Sequence, residues 1–250
     1  MNEIGLLFLL LPVAAFSGWY VARRGSERTS GAKVSELSSN YFRGLNYLLN
    51  EQQDKAIEVF LQLAEYNRDT VETHLALGNL FRRRGEVDRA IRVHQNLIAR
   101  PSLSDEEKTV ALLELGEDYM RAGLLDRAET LFTDLVAMDA LAPVALNHLV
   151  AIYQHERDWN KAIDIARKLE AATGESQGAS IAQFYCELAE QARSRKAWAE
   201  ARGFLDEACA AEGDCVRASM ILGHIEASNG NPDAAIAAFE HVAERDVDYV

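Results

Sequence analysis

Residues 74–95 read HLALGNLFRRRGEVDRAIRVHQ, and the spacing inside this stretch decides the fold. Leu77, Gly78 and Phe81 mark one helical stretch, in which a large apolar residue stands beside a residue with no side chain. Gly85 interrupts that stretch, where a helix would need a stop. Ala90, twelve residues beyond Gly78, begins a second helical stretch. The same order of residues returns at 114–132, ELGEDYMRAGLLDRAETLF. Outward from here the alanines Ala56, Ala90, Ala128, Ala162, Ala201 and Ala235 follow one another at 34, 38, 34, 39 and 34 residues. Twelve residues before each lies Gly44, Gly78, Gly116, Val150, Ala189 or Gly223, and one before that Arg43, Leu77, Leu115, Leu149, Leu188 or Leu222. Three after the small residue come Tyr47, Phe81, Tyr119 and Tyr153, then Ala192 and Glu226. Four after the alanine come Phe60, Phe132, Leu205 and Phe239, while His94 and Ala166 depart from the pattern.

Self-similarity with a period near 34 residues, L-G-x-x-Y on a first helix and alanine on a second, is the pattern of tetratricopeptide (TPR) repeats. Packing explains it. A small residue on helix A and an alanine on helix B let two helices approach closely, and the large residues fill the space between hairpins. One hairpin cannot bury its face alone, so hairpins stack. The expected fold is all-α, a TPR solenoid of about six hairpins at 37–70, 71–104, 109–142, 143–176, 182–215 and 216–249, together filling 37–250. Gly85, Gly123 and Gly230 mark A–B turns. The two longer spacings place short insertions near Asp105–Lys108 and Gln177–Ile181, and Pro101 suits a helix-B exit.

A different signal precedes the repeats. Ile4–Ala22, IGLLFLLLPVAAFSGWYVA, is an uncharged run of 19 residues. As a helix it would span about 28 Å, close to the roughly 30 Å hydrocarbon core. Trp19 and Tyr20 sit where interfacial aromatics belong, and Arg23, Arg24 and Arg28 follow. Positive charge after the run, with only Glu3 before it, argues against a cleaved signal peptide. Residues 1–24 are therefore expected to form a single-pass anchor with the C-terminal side in the cytoplasm, and the polar residues 25–36 a flexible linker.

The formal net charge of −13 repels phosphate backbones, so nucleic acid is not an expected partner. Cys186, Cys209 and Cys215 form no CxxC pair, which argues against a disulfide framework and a zinc site and for reduced thiols. The sequence carries no P-loop, GxGxxG or HExxH motif, and no nucleophile elbow of the GxSxG type is expected. His148 and His155, seven apart, suit a helix surface better than a metal site. No catalytic residues, cofactor or metal are expected; the chain reads as a binding protein.

A TPR array binds through the face lined by its A helices. The inward positions there are the second, fifth, ninth, twelfth and thirteenth of each unit. They give Asn79, Arg82 and Arg83 in the second unit, then Glu117, Met120 and Arg121 in the third. The fourth gives Asn147, Gln154 and His155, and the fifth Glu190 and Arg193. Mixed polar residues of both signs suit an extended peptide or a helix. Arg82–Arg84 is basic against an acidic background, fit to hold a carboxylate or to be a solvated helix end.

The run LLFLLLPVAAFSGWYVARR (6–24), joined to NYLLNEQQDKAIEVFL (46–61), GNLFRRRGEVDRAI (78–91) and IAQFYCELA (181–189), resembles the lipopolysaccharide assembly protein B family of Gram-negative bacteria. The resemblance runs along nearly the whole chain. It implies an inner-membrane protein with its TPR region in the cytoplasm, which regulates lipopolysaccharide synthesis. It further implies that the lipid A deacetylase is delivered to the membrane protease FtsH, and that an inner-membrane regulator acts through the anchor. A family member also carries a C-terminal rubredoxin-type metal domain with two CxxC pairs, which have no counterpart in this chain. The last repeat, with Ala234, Ile236, Ala238, Phe239 and Val242 presented by its helix B, has no polar capping helix after it. A shortened chain, or an end covered by a partner or by a second copy as a homo-oligomer, is expected there. The alternative function is an assembly scaffold for lipopolysaccharide synthesis or transport proteins, without proteolysis; a periplasmic chaperone fits the arginines poorly.

Overall fold

The computed structural model describes residues 39–50, 52–66, 70–213 and 215–245. The expected anchor and linker, residues 1–36, lie outside them. Among the described residues no helix is long and apolar enough to cross a membrane.

The described residues form twelve helices and no strand. They are α1 (39–49), α2 (Gln53–Tyr66), α3 (Val71–Arg83), α4 (Val87–Ile98), α5 (Asp105–Arg121) and α6 (Leu125–Ala137). Then come α7 (Ala142–Glu156), α8 (Trp159–Thr173), α9 (Gly178–Ser194), α10 (Trp198–Ala211), α11 (Val216–Ser228) and α12 (Pro232–Arg245). They pair in chain order as helix A and helix B of successive TPR-type hairpins. The chain divides into two compact units, Met1–Ser102 with α1–α4 and Leu103–Val250 with α5–α12.

Each hairpin is closed by one recurrent contact. The small residue on helix A and the residue sixteen further on, in helix B, face each other at one closely approached point. A Cβ built on Gly44 would stand 2.8 Å from the Phe60 ring, on Gly116 2.6 Å from Phe132, and on Gly223 2.5 Å from Phe239. On Gly78 it would stand 2.2 Å from His94, so His94 takes the place of the aromatic ring and is fully buried. In the remaining two hairpins the sizes are redistributed. Val150 is opposite the fully buried Ala166 in sequence register, and Ala189 opposite Leu205. His94 and Ala166, departures in the sequence pattern, are thus size-matched members of it.

The turn after each helix A is equally regular. The N–H eight residues past the small position donates to the carbonyl at its third residue, as in Glu86 to Phe81, Leu124 to Tyr119, Asp158 to Tyr153 and Asn231 to Glu226, at 2.8–3.0 Å. This is the six-to-one bond of a Schellman stop, which needs a left-handed residue just before the donor. Gly85, Gly123 and Gly230 supply it without steric cost, with φ of 85°, 74° and 75°. In the fourth and fifth hairpins Arg157 (φ 59°) and Lys196 (φ 58°) hold the same place, where a Cβ crowds the backbone.

The longer spacings are absorbed in helices rather than loops. α5 and α9 each have 17 residues against 13 in α3. Asp105–Lys108 is the first turn of α5, started by a capping box in which Ser104 Oγ accepts the Glu107 N–H and the Glu107 carboxylate accepts the Ser104 N–H. In the first unit the core holds Phe60, Leu77, Leu80 and Phe81, with Tyr41 edge-on to Phe60 at 5.7 Å. Towards the other end of the chain the core turns alanine-rich, with Ala182, Ala189, Ala192, Ala201, Ala208 and Ala218 drawing α9, α10 and α11 together. One expectation needs correcting: Val242 is not presented by the last helix but is 5% exposed, because it shares the inward side of α12 with Ala235. Ile236 and Phe239 remain on the open side, at 54% and 37%.

Two predictions follow from these positions. Gly116→Ala forces a methyl into the Phe132 ring and is expected to cost about 1–3 kcal/mol, read as a lower denaturation midpoint with unchanged helical circular dichroism at low denaturant. Arg157→Gly and Lys196→Gly relieve the left-handed crowding, and each is expected to gain about 0.5–1 kcal/mol in the same measurement.

Candidate functional site

TPR arrays bind through their A helices, and the candidate residues lie on α3 in the first unit and on α5, α7 and α9 in the second. On α3, Asn79 and Arg82 are half-buried and Arg83 is exposed. The arginine run splits by role. Arg84 is tied to Asp54 of α2 and, at 2.9 Å, to Glu86. It closes the turn between helices rather than offering a free cation. Arg83 has no ion-pair partner among the described residues and remains available. Arg89 lies over the Phe81 ring at 3.9 Å, covering the edge of the core beneath the turn.

In the second unit the row is held together by cross-helix pairs. Glu117 of α5 accepts from His148 Nε2 of α7 at 3.2 Å, and the His148 ring stacks on Phe132 with centroids 4.7 Å apart. The candidate Glu117 is therefore engaged by a neighbouring A helix. Met120 is half-buried, whereas Arg121 is exposed and has no ion-pair partner among the described residues. Asn147 donates to its own helix at the Pro143 carbonyl. Gln154 and His155 are exposed at the end of α7. Glu190 and Arg193 of α9 meet each other at 2.7 Å, one turn apart.

Residues absent from the candidate set tie the later A helices together. Arg217 of α11 donates to Glu187 at 2.6 Å and to Gln183 at 3.1 Å, both on α9. Gln183 and Arg217 are the second residues of the fifth and sixth units, so the repeat register alone pointed to that pair. Arg202 of α10 donates to Glu226 of α11 at 2.7 Å, and Asn231 donates to the other oxygen at 2.8 Å. The Arg202 and Asn231 bonds hold the Glu226 carboxyl below the usual carboxylate range. Tyr153 donates to Glu129 at 2.6 Å, and burial together with that carboxylate pushes its hydroxyl pKa up.

Among the described residues no group of three or more His, Cys, Asp or Glu side chains could hold a metal. Gly174–Gly178, GESQG, has the G-x-S-x-G spacing of a nucleophile elbow. An elbow needs a strand-to-helix turn. This segment joins helices α8 and α9, and Ser176 Oγ is used locally, accepting the Gly178 N–H at 3.2 Å.

Models of the tetratricopeptide repeat family match residues 73–108 and, separately, 113–177 and 186–246. The chain is 43% identical over 245 residues to lipopolysaccharide assembly protein B of Escherichia coli (strain K12), which covers 98% of this chain and 63% of that protein. It is 39% identical to the protein of the same name from Haemophilus influenzae, covering 98% of this chain and 64% of the relative. The family resemblance read from the sequence therefore stands, and the chain spans a little under two thirds of the length of these curated relatives. Two solved structures share the fold. The C-terminal part of a TPR repeat-containing protein from Cytophaga hutchinsonii is 14% identical, with a TM-score of 0.54 over 82% of this chain and 78% of that one. A tetratricopeptide repeat protein from Parabacteroides merdae is 13% identical, with a TM-score of 0.54 over 84% and 79%. At such identities the likeness is one of fold alone.

One histidine on α3 is set to respond to pH. His74, in the first turn of α3, has Nδ1 2.8 Å from the Thr70 carbonyl and Nε2 2.8 Å from the Arg100 guanidinium. A ring that donates through Nδ1 and accepts from Arg100 through Nε2 is neutral. Burial lowers its pKa from the ordinary 6.5, the Thr70 carbonyl opposes this, and the Arg100 cation adds to it. The unfolded chain then takes up the proton more readily than the folded one. This contribution to stability is complete above about pH 6.5 and is lost as pH falls from there toward the lower folded-state value. Amide exchange of peptides spanning 71–100, corrected for intrinsic rate, is expected to show protection falling as pH drops below about 6.5. His74→Gln is expected to flatten that dependence.

Proposed function

Since the chain belongs to the tetratricopeptide repeat family, we propose that it works by binding, as an inner-membrane-anchored cytoplasmic adaptor that regulates lipopolysaccharide synthesis. In this reading it presents the lipid A deacetylase to the FtsH-type membrane protease. The observation that carries the reading is the set of surface polar side chains that each unit presents on its A helices, in a chain whose curated relatives bear the name lipopolysaccharide assembly protein B. Such a set grips a segment of a protein partner through many modest contacts. Arg83 and Arg121, exposed and without ion-pair partners among the described residues, are the cations best placed to take client carboxylates. Ile4–Ala22 would hold the array at the bilayer, where an inner-membrane regulator can reach it. There it raises the effective concentration of a bound client beside a membrane protease.

The test is client turnover. Depleting the protein in its host and blocking translation is expected to raise the deacetylase level and lengthen its half-life on immunoblots. Complementation with Arg83→Glu/Arg121→Glu is expected to leave the half-life long, although the protein accumulates normally. An unchanged half-life with lipopolysaccharide still disturbed would replace this reading with the non-proteolytic assembly scaffold.

A further inference from the structure

The sequence offers three cysteines with no ligand-like spacing, yet the fold brings two of them together. Cys186 on α9 and Cys215, the residue that caps the start of α11, have their sulfurs 3.7 Å apart. Both are buried, whereas Cys209 on α10 is exposed. The two sulfurs are 29 residues apart in sequence and join the A helices of neighbouring hairpins. A disulfide has its sulfurs about 2.05 Å apart, so bonding here asks for an approach of under about 2 Å. Ala182, Ala189 and Ala218 belong to the same core, so small side chains predominate around the pair.

We propose that Cys186 and Cys215 are a peroxide-sensitive pair that forms a reversible disulfide stapling α9 to α11.

The site distinguishes the two sulfurs. Cys215 stands at a helix N-terminus beside Arg217. The contact with Cys186, the backbone N–H groups and that guanidinium lower its pKa against the opposing effect of burial, while the same contact raises that of Cys186. Cys215 is thus the attacking thiolate and Cys186 the resolving thiol. Partial burial, Cys215 and Asp206 raise the pKa of the exposed Cys209 thiol. The Cys215 thiolate attacks one oxygen of hydrogen peroxide; the O–O bond breaks and hydroxide leaves, giving a sulfenic acid on Cys215. The Cys186 sulfur, losing its proton, then attacks the Cys215 sulfur; the S–OH bond breaks and water leaves. The hydroxide takes up the proton that Cys215 had released. Two thiols and one peroxide become one disulfide and two waters, with both sulfurs oxidised and the peroxide oxygens reduced. A small thiol reverses the step by exchange. A transient bond of this kind is the form that cysteine pairs take in reducing compartments.

The bond would act on the binding row. Arg217 already joins α11 to Glu187 and Gln183 of α9, and Glu190 and Arg193 lie further along α9. A covalent link there fixes the spacing of two neighbouring A helices.

The experiment uses the whole chain. One equivalent of hydrogen peroxide, followed by alkylation in denaturant, is expected to lower the titratable thiols from three to one, with full return on dithiothreitol. Peptide mass mapping without reductant is expected to give the 186–215 cross-linked pair, and Cys209→Ser to leave that pair intact. Cys186→Ser is expected to leave a sulfenic acid on Cys215 that dimedone traps. Three titratable thiols after treatment, or oxidation confined to Cys209, would overturn the proposal. Because the mapping is done first on the unsubstituted protein, a variant that fails to fold does not shield it.

Discussion

Everything in this protein rests on a steric agreement between two residues sixteen apart. At Gly44, Gly78, Gly116 and Gly223 helix A offers no side chain, and a ring from helix B occupies the place a Cβ would need. Backbones can come that close only where one partner is nearly absent, so the contact fixes the separation and the rotation of the pair together. The hairpins with Val150 and Ala189 show that the constraint concerns summed volume rather than glycine itself, since Ala166 and Leu205 shrink to match. From that contact follows the position of the turn, because in the second to sixth hairpins the left-handed residue stands seven beyond the small one. From the turn follows the six-to-one bond, and from both the faces left over for neighbours.

The hairpin periodicity was legible because it is a one-dimensional record of this packing: small, then aromatic, then alanine, at intervals a helix pair imposes. The departures were harder to read. His94 and Ala166 look like failures of the pattern until the residue sixteen before each is weighed with it. Arg157 and Lys196 do not announce a left-handed turn, since nothing in their chemistry favours one; only the register places them there. Asp105–Lys108 and Gln177–Ile181 were visible as extra length, but whether length becomes loop or helix depends on caps. At the first, Ser104 and Glu107 decide for helix.

Legibility drops at the candidate face, for a physical reason. The repeat fixes which positions reach the A-helix surface, and it named the candidates. It does not fix which side chains are consumed by each other. Glu117 meets His148, Glu190 meets Arg193, and Arg84 is drawn back to Asp54, whereas Arg83 and Arg121 have no ion-pair partner among the described residues. Such pairings depend on the offset between adjacent hairpins, a quantity absent from the spacing of any one of them. The approach of Cys186 to Cys215 is of the same kind: two residues with no local motif, made neighbours by stacking.

The lengthened α5 and α9 carry a consequence for how a chain of this sort can change its length. Between the small residue and its partner, sixteen places are fixed; a deletion or insertion there rotates one contact away from the other. Ahead of helix A nothing has been counted yet. Four further residues add a turn of helix, and every contact downstream keeps its number. The ends of the A helices are thus the places at which gain or loss of codons leaves the architecture untouched. The unequal intervals of 38 and 39 residues sit where the arithmetic of the fold leaves length unconstrained.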